Sequence, residues 1–190
     1  MRFLVCIPAL SSLLSGAVIL DRIAVIDGTH VIKTSDIDRD LRLTQFINRE
    51  PLRITSAAKR EAAERLITQD IIRQEVITGG YRRPPEEEAI ALEAQLRRDR
   101  FENSEQRFRE TLRQYGLTEP ELRERLQWQL TVLQFIDQRF RAGVVVTDEE
   151  APTPKLKAEL EAERINKNFN DWLDQARQGY RVEYKQEAFE

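Results

Sequence analysis

The segment Thr118 to Phe140 constrains this chain more than any other. Thr118-Glu119-Pro120-Glu121 has the form of a capping box with proline in the first helical turn, so a helix starts there and runs to about Phe140. Along it, Leu122, Leu126, Leu130, Leu133, Ile136 and Phe140 make one apolar stripe, and Trp128, Val132 and Phe135 make a second. A helix that is apolar on two sides must be covered on both, or must leave one side as a binding surface. The rest of the chain has to supply that cover.

Helical patterns dominate what surrounds it. Before the first of them, RIAVIDGTHVIK at 22–33 sets two β-rich runs about Asp27-Gly28, a dipeptide suited to a two-residue hairpin turn. Ser35, with Asp38 three residues on, is expected to cap a helix that buries Ile37, Leu41, Leu43, Phe46 and Ile47 and stops before Pro51. Thr55 or Ser56 opens a second helix with apolar pairs Ala62/Ala63, Leu66/Ile67, Ile71/Ile72 and Val76/Ile77, ended by Gly79-Gly80. Pro84-Pro85-Glu86-Glu87-Glu88 opens a third, with proline in its first turn and Ala89, Leu92 and Leu96 on its face. Asn103 or Ser104 caps a short fourth helix carrying Phe108, Leu112 and Tyr115, which Gly116 ends.

After Phe140, RAGVVVTDEEAPTP at 141–154 reads as a strand-like Val144–Val146 and a proline-rich linker. A last helix from about Lys155 to Gln178 carries Leu156, Leu160, Ile165, Phe169, Trp172, Leu173 and Ala176. Tyr180 to Tyr184 alternates as a final strand, expected to pair with the hairpin, because an isolated two-stranded unit is only marginally stable. The expected class is therefore mainly α, about six helices with a short N-terminal hairpin joined by a C-terminal strand.

Composition narrows the chemistry. With 190 residues the chain can build one modest core. Thirty Lys and Arg against 33 Asp and Glu give a net charge of −3, which removes the single-sign field that nucleic-acid binders use. One His and one Cys are too few for a zinc site or a cysteine framework, and a His-dependent catalytic triad has only His30 to draw on. No catalytic residue, metal or cofactor is expected.

At the N-terminus, Arg2 precedes the apolar run FLVCIPALSSLL, and Ser15-Gly16-Ala17 supplies small residues before a cut after Ala17. That is the form of a secretory signal peptide over residues 1–17. The run is too short to span a bilayer, which takes about 20 apolar residues. The exported chain would carry no cysteine and would be stabilised by packing alone, which suits the periplasm.

Four stretches carry a family resemblance: DRIAVIDGTHVIKTSDIDRDLR, AAERLITQDIIRQEV, YGLTEPELRERLQWQLTVLQFIDQRF with the VTDEE that follows, and RINKNFNDWLDQARQGYRVEYK. In this order they resemble the SurA-type periplasmic chaperones. The resemblance divides the chain into a signal peptide (1–17), a SurA N-terminal-like helical domain (18–140), a linker (141–154), and a C-terminal helix and strand (155–190) that pack on the same core. In full-length relatives of that type, parvulin-type prolyl isomerase domains stand where this chain has only the linker. What the resemblance implies is a chaperone core without isomerase activity, binding unfolded outer-membrane protein segments.

The candidate client-binding residues are the second stripe, Trp128, Val132 and Phe135, with Phe101 and Phe108 from the preceding helices. The alternative is that the C-terminal helix around Trp172 covers them. Neither nucleic acid nor stable membrane insertion after cleavage is expected. Two other functional classes stay open: a residual prolyl isomerase, and a homodimeric assembly protein whose second stripe is its interface.

Overall fold

The computed structural model describes residues 21–27 and 30–190. Residues 1–20, which include the expected signal peptide and Cys6, and Gly28 and Thr29 of the expected turn lie outside the described residues. Strands β1 (Ile23–Asp27) and β2 (His30–Lys33) lead into helices α1 (Thr34–Asn48), α2 (Ser56–Thr78), α3 (Glu86–Phe101), α4 (Glu105–Gln114) and α5 (Glu119–Phe140). After the segment 141–153 come α6 (Pro154–Gln178), β3 (Val182–Tyr184) and a single 3-10 turn (Gln186–Ala188). The protein is mainly helical, with one small antiparallel sheet in the order β2-β1-β3, so strands from the two ends of the chain lie side by side.

Several helix boundaries follow from single side chains. The hydroxyls of Thr55, Ser104, Thr118 and Thr153 accept N–H bonds at the starts of α2, α4, α5 and α6. At Thr118 the box is complete, because Glu121 also accepts the Thr118 N–H at 2.8 Å. α1 starts differently from the Ser35/Asp38 expectation. It begins at Thr34, where the Asp36 carboxylate accepts the Lys33 N–H at 3.1 Å, while Ser35 turns its N–H and hydroxyl to Asp21. Pro85 caps α3 from outside the first turn, leaving Glu86, Glu87 and Glu88 at the positive end of the helix dipole.

The expected strand at Val144–Val146 does not form. Its neighbourhood closes on itself through Val144 N–H to Arg141 O at 3.1 Å and Ala151 N–H to Thr147 O at 3.0 Å, and the Arg164 guanidinium takes the Val145 carbonyl. Groups that a ladder would use are bonded elsewhere.

Three apolar clusters make the interior. The first joins Val25, Ile32, Ile37 and Leu41 to Ala62, Ala63, Ile67 and Ile71 of α2, and is closed by Ala188 and Phe189. The second joins Leu43 and Phe46 of α1 to α3, α4 and the first half of α5, through Leu96, Phe108, Leu112, Leu122 and Leu126. A third holds Ile72 and Val76 of α2, Phe135 and Phe140 of α5, and Ile165 of α6. Helices α1, α2 and α5 each contribute to two clusters, which answers the two-sided pattern read along α5.

The chain end is part of the core. Lys185 N–H bonds Ala24 O at 2.9 Å, and Phe189 is fully buried. Phe189→Ala is expected to cost about 3–5 kcal/mol, read as a lower urea midpoint, with faster amide exchange along β1 as the local signature. An unchanged midpoint would contradict the assignment of Phe189 to the core.

Candidate functional site

A trough of about 790 Å³ runs between β2, α1, α2 and α5. Its floor is set by Asp40, a buried carboxylate on α1. Asp40 accepts from Arg65 Nε at 2.9 Å and Gln69 Nε2 at 3.2 Å, both on α2, and from Arg125 Nη1 on α5 at 2.8 Å. Leaving such a carboxylate unpaired would be costly, and here three donors from two helices satisfy it.

Above the floor the walls mix charge and apolar surface. Arg39 stands between Asp36 at 3.7 Å and Glu121 at 3.4 Å, bridging α1 to the start of α5. The Thr118 hydroxyl, 2.7 Å from Glu121, is the main reason that this carboxyl lies below its ordinary range, helped by Arg39 and Arg42. On α2, Asp70 is the opposite case. Burial raises its pKa, with Arg73 and His30 pulling it down and Asp36 pushing it further up. The Arg73 guanidinium lies 5.1 Å from the Trp128 ring centroid, a cation–π contact across the trough.

Apolar side chains fill the gaps between these charges. Ile77, at the end of α2, is 71 % exposed, and Val31 on β2 is 46 % exposed. Gly80 lines the same end with φ of +68°, a backbone conformation that turns the chain sharply toward Tyr81. His30 Nδ1 lies 3.0 Å from Gln74 Nε2, whose Oε1 accepts the Tyr180 hydroxyl at 2.6 Å.

The five residues chosen from the sequence do not form one surface. Phe101 and Phe108 belong to the second cluster, their rings 5.5 Å apart, and Phe108 is 0 % exposed. Phe135 is 1 % exposed, packed edge-on against Tyr81 at 5.0 Å and Trp172 at 5.5 Å, while Val132 is partly buried in the same third cluster. Trp128 alone of the five lines the trough. So α6 covers the second stripe at Phe135, and the stripe is open at Trp128.

Sequence reading missed Val31, Asp70, Arg73 and Ile77. The apolar pairs of α2 share one helical period, yet the helix passes from the first cluster at Ile71 to the third at Ile72, and Ile77 is left outside both. Leu133 belongs to the first apolar stripe of α5 and is 63 % exposed.

Among the described residues, no group of three His, Cys, Asp or Glu is placed to hold a metal ion. No described helix is long and apolar enough to cross a membrane. No protein-family model matches the chain, and no curated protein does either.

Two substitutions probe the site. Asp40→Ala strands Arg65 and Arg125 together and is expected to destabilise the fold by about 3–5 kcal/mol in urea unfolding, with part recovered when Arg125→Leu is added. Strict additivity of the two changes would refute a coupled hub. For Asp70, burial raises the native pKa above the unfolded one, so the native state binds the proton more tightly and its stability falls as pH rises through that window. Asp70→Asn is expected to raise the unfolding midpoint at pH 7 and to change it less near pH 3, where the native carboxyl is already neutral; a midpoint lowered at pH 7 contradicts this.

Proposed function

We propose that this chain is a non-enzymatic, ATP-independent chaperone of the SurA type, exported to the periplasm, where it holds unfolded outer-membrane protein segments. The observation that carries the reading is the open trough. Its apolar side chains, Val31, Ile77 and Trp128, are spaced among charged groups rather than gathered into a sealed pocket. The order of elements supports it too, with a hairpin, five helices and a returning helix and strand, as the resemblance implies.

The physics of the client suits such a surface. A barrel precursor exposes alternating apolar side chains and unpaired strand edges, and aggregates unless they are covered. Each apolar side chain contributes roughly 1.5–3 kcal/mol when fully buried, so a few partly covered contacts give binding that is weak and reversible without an energy source. A preference for the unfolded form is enough to draw a client away from aggregation.

An outer-membrane protein diluted from urea is expected to scatter less light when an equimolar amount of this protein is present. Ile77→Asp should abolish most of that protection, and Leu133→Asp, outside the trough, should leave it intact. Unchanged scattering with the wild-type protein would refute the reading. Cis/trans conversion of a proline peptide should not be accelerated; acceleration would favour the isomerase alternative.

A further inference from the structure

We infer that the trough receives its occupant as an added β-strand, hydrogen-bonded at Val31 on the edge of β2 that no other described strand pairs. The inference rests on the holdase reading for the identity of the occupant, an extended segment of an unfolded outer-membrane protein with few charges. It adds the mode of capture.

The ladder fixes which way each backbone group points. Lys185 N–H bonds Ala24 O, and Ile26 pairs with Glu183, so Ala24 and Ile26 turn their backbone groups toward β3. In an antiparallel ladder the direction alternates along the strand, so Val25 and Asp27 turn theirs toward β2, opposite Ile32 and His30. Val31, opposite Ile26, therefore points its N–H and C=O away from β1. His30, Val31 and Ile32, whose side chains alternate between the faces of the sheet, all line the trough, so the trough borders this edge of β2, where Val31 offers the donor and acceptor that one residue of a further strand requires.

The sheet's two edges are treated differently. At β3, Arg181, Glu183 and Lys185 place a charge at every second position, with Glu183 and Lys185 paired, and a 3-10 turn follows at once. Charges of that kind discourage strand addition. At β2 the middle residue is Val31, with nearly half of its surface exposed.

Charge complementarity selects the occupant. Asp36, Asp40, Asp70, Glu121 and Glu124 face Arg39, Arg73, Arg83 and Arg125 around the trough, and Asp40 is held by Arg65 besides. A lining that nearly cancels gives no attraction to a polyanion or a polycation. It fits a segment of low net charge whose alternate side chains meet Ile77 and Trp128, which is the pattern of a barrel strand before closure.

The probe is an eight-residue peptide alternating Val and Thr, titrated into the full chain with Trp fluorescence reporting binding and amide exchange read at Val31. Saturating peptide is expected to slow exchange of the Val31 amide about tenfold or more. Val31→Pro removes that N–H without touching the β1–β2 ladder, so the sheet should persist and peptide affinity should fall about tenfold. Binding that leaves Val31 exchange unchanged would overturn strand addition, as would no binding at all. Should the proline variant fail to fold, exchange in the wild-type protein decides alone.

Light scattering run in parallel separates the two claims. Suppressed aggregation without Val31 protection retains the holdase and removes the strand mode. Val31 protection without suppression does the reverse.

Discussion

Three helices meet at one carboxylate. Asp40 on α1 collects a guanidinium and an amide from α2 and a second guanidinium from α5, so the separation of these helices is fixed by hydrogen-bond geometry as well as by packing. A buried ion cluster of this kind adds little net stability over an apolar substitute, but it penalises every arrangement in which one partner is missing. The trough above Asp40 inherits that rigidity. Its walls stand apart because a polar hub, rather than interdigitated leucines, occupies the place where α1, α2 and α5 converge.

Around the hub the apolar faces divide. Leu41 of α1 joins the sheet-side cluster and Leu43 the cluster with α3 and α4. Trp172 is partly buried between the first and third clusters, and Arg139 lies 5.4 Å from its ring while also pairing with Glu75. The last helix thus docks by an aromatic seam reinforced with charge, and its other side is solvated.

Much of the fold was legible because its boundaries are written in short-range chemistry. Thr118 with Glu121, Gly79-Gly80 and Ser104 act within a few residues, and each marks a helix end in the structure. The final strand was readable from alternation and from the instability of a lone hairpin. What failed was long-range or competitive. The Val144–Val146 run has strand composition, but turns and Arg164 take its backbone groups. Ser35 is a good cap by type, and Asp21 claims it instead. Trp128 of the site lies on a stripe that the sequence shows, whereas Ile77 in the trough and Leu133 outside it share their periodicity with core residues. Asp70 and Arg73 carry no local signal, since only the approach of α5 and β2 makes them neighbours of a trough.

The central strand of the sheet, β1, is completed by residues more than 150 positions later in the chain. Until those residues are in place, one flank of β1 is an open strand edge and the socket of Phe189 is empty. The sheet thus closes only when its most distant contacts form, and losing residues 182–189 would leave the flank of its first strand available to other chains.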